Sequence, residues 1–311
     1  MGHTVNTQRI AMTVVLLLAT MCLFAQQLPL SNEAARLCQQ KQLDAALVKS
    51  SEALSKKEEN SDAYAWYVHG FVLKELYKEK EYGLRNSAYR EEAVKAFEVS
   101  MTKNNASKHA SMTRLALKYL ASTYYNDALQ ASQTAGDAAE KEAELLFGKF
   151  ERWIQLAEPG TAMAGYRKEF AKSIGQRYFA LWQRDTENEA FRSKAAQQYE
   201  KMLQLDSTDV DAYYNLSVIY YNQAVFMYRK INHETDLFDM MTIQEAAAKL
   251  IRTQALPLMD KAYALAPEKG EVVHGKIILH RALDHEKDVE YFKQEIARLI
   301  REGKIKSEHS Y

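Results

Sequence analysis

The chain has 311 residues, and its 41 Lys and Arg residues balance its 41 Asp and Glu residues. A nucleic-acid-binding protein carries a basic excess on one face, so this balance argues against a nucleic-acid partner. Glycine (11) and proline (4) are rare, which leaves few breaks for helices, and the commonest residues favour helix over sheet. We therefore predict an all-α protein.

The N-terminus has the pattern of a targeting segment. Arg9 precedes an apolar run at 10–25, which is short for a membrane span but typical of the core of a signal peptide. We predict a signal peptide at 1–25 and export to the periplasm or the cell surface, with no stable membrane span after cleavage. Retention as an anchor helix and a lipid anchor on Cys22 are alternatives, although Met21 is bulkier than a lipid-attachment motif favours.

Cysteine usage predicts no disulfide in the mature chain. Once 1–25 is removed, Cys38 is the one cysteine left in the sequence. It shares a helical face with Ala34 and Leu37, which indicates a buried small hydrophobe rather than a reactive thiol.

The remaining chain, 26–303, divides into pairs of amphipathic helices. The clearest junction lies at 195–220, where Ala195, Tyr199 and Met202 form one helical stripe before a polar turn. A second stripe begins at Tyr213, so the pattern predicts two helices packed across a short turn. By the same criterion we predict five units, at 31–58, 62–104, 108–158, 161–206 and 209–267. Two closing helices at 271–303 and a polar tail at 304–311 follow.

Each unit places a small residue and a large residue at a fixed helical spacing. On the second helices the pairs are Ala93 and Phe97, Ala143 and Phe147, Ala195 and Tyr199, and Ala255 and Met259. On the first helices the corresponding sets are Trp66 and Gly70; Met112, Leu115, Ala116 and Tyr119; Ala171, Ile174, Gly175 and Tyr178; and Tyr213, Leu216, Ser217 and Tyr220.

This arrangement resembles the tetratricopeptide repeat (TPR) family, whose repeat of about 34 residues places Trp, Leu, Gly and Tyr on a first helix and Ala and Phe on a second. The resemblance implies an α-solenoid of antiparallel helix pairs, closed by a C-terminal capping helix with a polar outer face. Strict spacing holds only across 195–220. The largest departure is an insertion at 230–243, where we expect binding specificity to lie.

The TPR resemblance also implies a groove lined by first-helix residues. Carried over to this sequence, the groove positions are Tyr67, Phe71 and Lys74; Lys172, Gln176 and Phe179; and Tyr214, Val218, Tyr221 and Asn222. Tyr, Phe and Lys together suit a groove that holds an extended or helical peptide. Alternatively, the extended helices and insertions fill the groove, or the tyrosines merely tolerate partial exposure.

Motifs for chemistry are missing from the sequence. It contains no Gly-rich phosphate loop and no nucleophile elbow. His274, His280 and His285 are spaced by six and five residues, which differs from the i, i+4 pair that metals use on one helix. We expect no metal, no cofactor and no enzymatic activity.

The sequence therefore favours a non-catalytic protein–protein interaction scaffold of the bacterial cell envelope, which binds a protein or peptide partner of unknown identity. Two alternatives stay open. One is a periplasmic carrier of a small molecule or lipid, with a cavity under the 230–243 insertion. The other is a hydrolase whose site is assembled between repeats.

Overall fold

The computed structural model describes residues 28–134 and 136–306. The predicted signal peptide at 1–25, with Cys22, and the end of the polar tail at 307–311 lie outside the described residues. Within them every regular element is a helix, which confirms the predicted all-α fold.

The helices are numbered here in chain order. They are α1 (Leu30–Gln39), α2 (Leu43–Ser55), α3 (Lys57–Asn60), α4 (Ala63–Lys80), α5 (Ala88–Ser100), α6 (Ala106–Ser132), α7 (Asp137–Ala157), α8 (Ala164–Arg184), α9 (Glu189–Leu205), α10 (Val210–Arg229), α11 (Leu237–Leu250), α12 (Leu256–Leu265), α13 (Gly270–Ala282) and α14 (Glu286–Arg301). A π-helical segment, Ile251–Ala255, joins α11 to α12.

The described chain forms two compact units. The first comprises 28–127 and 145–161, and the second comprises 128–134, 136–144 and 162–306. Helices α6 and α7 each contribute residues to both units.

In the first unit α4 packs against α5 through a close contact between a glycine and an aromatic ring. A Cβ atom on Gly70 would lie 2.9 Å from Cδ1 and Cε1 of Phe97, which is closer than side-chain carbons approach. Phe97 and Ala93 are fully buried. The missing side chain of Gly70 therefore lets the ring of Phe97 fill the space between the helices.

The second unit repeats this contact between α8 and α9. A Cβ atom on Gly175 would lie 3.2 Å from Cζ of Tyr199, which is buried. Ser217 of α10 occupies the equivalent small-residue position, and its hydroxyl donates a hydrogen bond to the carbonyl of Ala255 at 2.8 Å. These three contacts are those expected of TPR-like helix pairs, in agreement with the predicted fold class.

The register predicted for α6 is wrong. Met112, Leu115 and Tyr119 were expected in the core but are 42%, 71% and 39% exposed. Of the predicted set only Ala116 is buried, and the buried side of α6 in the first unit also includes Thr113, Leu117, Leu120, Ala121 and Tyr124. Both stripes are apolar at helical spacing, so the helix that packs against α6 determines which of the two is buried. The chosen face places the Tyr124 hydroxyl 2.7 Å from Oε1 of Glu91, to which it donates a hydrogen bond.

The insertion at 230–243 divides into a non-helical connection at 230–236 and the start of helix α11 at 237–243. Helix α10 runs to Arg229, and α11 begins at Leu237, so the connection between them is short. Leu237, Phe238 and Met241 are exposed at the start of α11.

The π-helical segment ends at Ala255, two residues before Pro257, whose ring nitrogen cannot donate a hydrogen bond to the preceding turn.

Helix α14 is the predicted capping helix. Its apolar stripe, Phe292, Ile296 and Leu299, packs against Val273 and Ile277 of α13, whereas charged residues occupy its outer face. No helix in the described part of the chain is long and apolar enough to cross a bilayer.

Candidate functional site

The second unit contains a small apolar concavity lined by α10 and α13, called the α10 groove here. Four of the predicted groove residues line it, namely Tyr214, Val218, Tyr221 and Asn222 of α10. Ile278 and Leu279 form its other wall, and Met259 forms its floor. Its volume is about 190 Å³.

Helix geometry explains why the four α10 residues meet. Positions 214, 218, 221 and 222 follow one face of a helix, while Leu216 and Ile219 on another face are buried. The floor depends on Gly275, because a Cβ atom there would lie 2.8 Å from Sδ of Met259. The missing side chain of Gly275 thus admits Met259 to the base of the groove.

Polar groups in the α10 groove differ in how they are bonded. The hydroxyl of Ser217 is engaged by the carbonyl of Ala255. The side-chain amide of Asn222 and the hydroxyl of Tyr221 have no hydrogen-bond partner within the described residues. Burial raises the pKa of Tyr214 above its ordinary value. The amide of Asn222 and the hydroxyl of Tyr221 can therefore donate or accept hydrogen bonds from a ligand beside the apolar walls of the groove.

The first unit contains a second concavity, called the α4 groove here, with a volume of about 360 Å³. Tyr64, Tyr67 and Phe71 of α4 line it together with Cys38 of α1 and Met112 of α6. The ring centroids of Tyr67 and Phe71 are 5.9 Å apart, and those of Tyr64 and Tyr67 are 6.3 Å apart. The α4 groove is thus walled by a continuous row of aromatic rings.

The thiol of Cys38 lines the α4 groove in its protonated form. Burial, followed by the negative charge of Glu75, raises its pKa. This agrees with the predicted role of Cys38 as a buried apolar side chain.

A cluster of lysines surrounds one carboxylate beside the α4 groove. Glu75 accepts from Lys74 at 2.7 Å, from Lys78 at 3.2 Å and from Lys41 at 3.3 Å. Burial acts to raise the pKa of Glu75, but the hydrogen bonds and charges of Lys74 and Lys78 outweigh it and lower the pKa to about 2. Three ammonium groups on one carboxylate leave this edge of the groove positive.

Lys74 lies at the rim of the α4 groove rather than in its wall. Its Nζ atom is 4.1 Å from the ring centroid of Phe71 and 5.6 Å from that of Tyr119. The ammonium group is therefore held over two aromatic faces as well as by Glu75.

The exposed stripe of α6 is the feature that the sequence analysis missed. Met112 lines the α4 groove, Tyr119 lies under Lys74, and Leu115 lies between them on the same helical face. The sequence signal that could have shown this is a second apolar stripe at 117–124, which fits the repeat pattern as well as the first stripe does. If the second stripe is buried, Met112, Leu115 and Tyr119 lie at the surface.

The three groove residues predicted on α8 do not join the α10 groove. Lys172 is ion-paired with Asp211 at 2.8 Å, which raises the pKa of Lys172. Phe179 packs beside Trp182, with ring centroids 6.1 Å apart. Gln176 lines a separate concavity of about 360 Å³ that also includes Arg177 and Arg184. None of the three concavities described above is lined by the 230–243 insertion, under which the carrier alternative expected a cavity.

The described helix pairs, with their glycine–aromatic contacts, define an all-α protein built of TPR-like repeats. No protein-family model matches the chain, and no curated protein matches it.

Several solved structures are similar to the chain. A TPR repeats protein from Bacteroides fragilis NCTC 9343 is 19% identical over 81% of this chain and 96% of its own, with a TM-score of 0.44. PilF from Pseudomonas aeruginosa is 11% identical over 90% of this chain and 93% of its own, with a TM-score of 0.31. YrrB, described as a TPR protein with an unusual peptide-binding site, is 20% identical over 80% of this chain and 91% of its own, with a TM-score of 0.25.

Proposed function

We propose that the chain is a non-catalytic interaction protein that binds a segment of a partner protein in its apolar grooves. The observation that carries this proposal is the α10 groove, where Tyr214, Val218, Tyr221 and Asn222 line one concavity over Met259. Concave apolar surfaces with a few convergent polar groups are the usual form of a binding site.

The size and chemistry of the α10 groove suit one apolar side chain of a peptide. A volume of about 190 Å³ admits a residue of the size of Leu or Phe and little more. The amide of Asn222 can donate to a backbone carbonyl and accept from a backbone N–H of the same segment. Because the lining residues lie on packed helices, binding needs little ordering of the protein.

The α4 groove suits an apolar side chain that lies next to an acidic one in the partner segment. Its aromatic row offers contact area for a second apolar side chain, and the cluster of Lys41, Lys74 and Lys78 lies at its edge. We therefore expect this groove to select an apolar or aromatic residue followed closely by an acidic one.

A peptide-display screen tests the proposal. The full chain would be immobilised and panned against random peptides, and the enriched peptides would be synthesised with a fluorescent label. We expect binding to fall by at least about 10-fold in Tyr221→Ala, since buried aromatic anchors carry much of the affinity at interfaces. Asn222→Ala should weaken binding as well.

Tyr82→Ala is the matched control, because Tyr82 is 72% exposed and lines neither groove. Its affinity should stay within about twofold of the wild-type value. Circular dichroism would verify that each variant keeps its helices. The proposal fails if no peptide is enriched, or if Tyr221→Ala and Tyr82→Ala bind equally well.

We further propose that the protein acts in the bacterial cell envelope. The support is the signal-peptide pattern at 1–25, with its apolar run and the cleavage point after Ala25. The intact mass of the protein from its native cells tests this, since a chain that begins at Met1 and carries no lipid would contradict export by cleavage.

A further inference from the structure

The turn between α13 and α14 brings together three side chains that ligate metals in proteins. The Nδ1 atoms of His280 and His285 are 3.1 Å apart, and Oδ2 of Asp288 lies 3.7 Å from Nδ1 of His280. One donor atom from each residue lies within 4.8 Å of the other two.

The backbone of the turn holds these side chains in place. Asp284 has a φ of 56°, a left-handed conformation that Asp tolerates and that reverses the chain after α13. The backbone N–H of His285 then donates to the carbonyl of His280 at 3.0 Å, and the N–H of Asp288 donates to the carbonyl of His285 at 3.1 Å. The ring of Phe292 stacks on His280 with 17° between the planes. The backbone of the turn and the ring of His280 are therefore held in place by hydrogen bonds and packing that need no ligand.

The separations of the other two donor atoms from Nδ1 of His280 are close to those in a tetrahedral metal site. Zinc binds imidazole nitrogen and carboxylate oxygen at about 2.0–2.2 Å, so tetrahedral ligand atoms lie about 3.3–3.5 Å apart. Two of the observed separations, 3.1 and 3.7 Å, lie on either side of this value. The third pair, His285 and Asp288, lies within 4.8 Å, and both side chains are exposed, so they are free to draw together around an ion. We propose that His280, His285 and Asp288 form a binding site for a divalent transition-metal ion of the zinc type.

The access route agrees with this site. His285 and Asp288 are exposed, and a concavity of about 570 Å³ that includes His285 and Glu290 opens beside them. A water molecule from this side can supply the fourth ligand, as in zinc sites with three protein ligands.

The structure also sets an expectation for the affinity. Nε2 of His280 is buried without a hydrogen-bond partner in the described chain. Ligating histidines normally donate their second N–H to an acceptor, and loss of that acceptor weakens metal binding by about 10–100-fold. We therefore expect a weaker site than a zinc site with a complete outer shell.

Spacings of six and five residues do not share one face of a continuous helix, so no metal site was expected from these histidines. Helix α13 ends at Ala282, so His285 lies beyond it and returns over His280.

Cobalt(II) titration of the full chain, purified without an added histidine tag, tests the site. We expect one Co²⁺ per chain, with the visible absorption of a tetrahedral complex and displacement by Zn²⁺. His285→Ala should weaken binding by more than about 100-fold, because it removes a ligand rather than an outer-shell group. Asp288→Asn should weaken it in the same direction. Both residues are exposed, so neither change threatens the core.

His233→Ala is the matched control, since His233 is an exposed histidine on the connection between α10 and α11. It should bind Co²⁺ with wild-type affinity and the same spectrum. Failure of the wild-type chain to bind, or equal binding by His285→Ala and His233→Ala, would overturn the proposal.

Discussion

At the scale of single residues, the fold depends on where side chains are missing as much as on where they are large. Gly70 faces the ring of Phe97 at a distance that leaves no room for a methyl group, and Gly175 faces the ring of Tyr199 at a distance where a methyl group would press on it. Under the α10 groove, a methyl group at Gly275 would displace the end of the Met259 side chain. These contacts set how closely the paired helices approach, because packed interiors tolerate little added volume.

Gly70→Ala should destabilise the first unit. The added methyl would meet Phe97, and overpacking of this kind costs about 1–3 kcal/mol, against a gain of up to about 1 kcal/mol from the better helix propensity of Ala. Gly148→Ala is the control, because no atom lies within 4 Å of a Cβ there. Urea unfolding should show a net loss for the first variant and a gain of up to about 1 kcal/mol for the second. Equal effects would contradict this packing argument.

Glu75 makes the stability of the first unit dependent on pH. Its pKa is lowered from an ordinary value of 4.5 to about 2, so its ionised form stabilises the folded state above pH 4.5. That contribution is lost as the pH falls through about 2. Glu75→Gln should therefore cost about 1–3 kcal/mol at neutral pH, because it leaves the lysines without their carboxylate.

The difference in unfolding free energy between the wild type and Glu75→Gln should shrink as the pH falls from 4.5 towards 2. Urea titrations at a series of pH values would measure it. Glu79→Gln, on the exposed face of the same helix, serves as the control and should have little effect at any pH. A difference that stays constant with pH would show that the charge of Glu75 does not matter to folding.

At the scale of helices, a periodic apolar pattern predicts that a helix forms but does not always predict which face of it is buried. In α6 two stripes of similar composition compete, and contacts with Arg90 and Glu91 of α5 select the one that contains Tyr124. In α14 a single apolar stripe faces a strongly charged side, so the pattern leaves one choice. For this reason the buried face predicted for α6 was wrong, whereas the one predicted for α14 was correct.

Leu299→Ala should weaken the closing helices locally. Leu299 is fully buried in the cluster with Val273 and Ile277, and removal of such a side chain costs about 2–5 kcal/mol. Because repeat proteins are stabilised by contacts between neighbouring helices, we expect faster amide hydrogen exchange in α13 and α14, while α8 and α9 keep their protection. Lys293→Ala, on the solvated side of α14, should leave exchange unchanged. A uniform increase throughout the second unit would contradict local stabilisation.

At the scale of the whole molecule, composition and charge constrain the class of protein before any contact is known. Balanced charge and few helix-breaking residues predict an all-α protein without a nucleic-acid footprint, and every regular element of the described chain is a helix. The division into two compact units was not visible in the sequence, because α6 and α7 run through it without a break in composition.

The amino-acid pattern alone predicts the helices, the pairing of small and large residues, the capping helix and the four α10 positions that share the face lining the α10 groove. Each of these follows from spacing along one helix, which the sequence displays directly. The tertiary structure alone decided the buried face of α6, the rim position of Lys74, the separation of the α8 residues from the α10 groove and the meeting of His280 with His285. These depend on which helix lies opposite and where a helix ends, and no periodicity within a single helix contains that information.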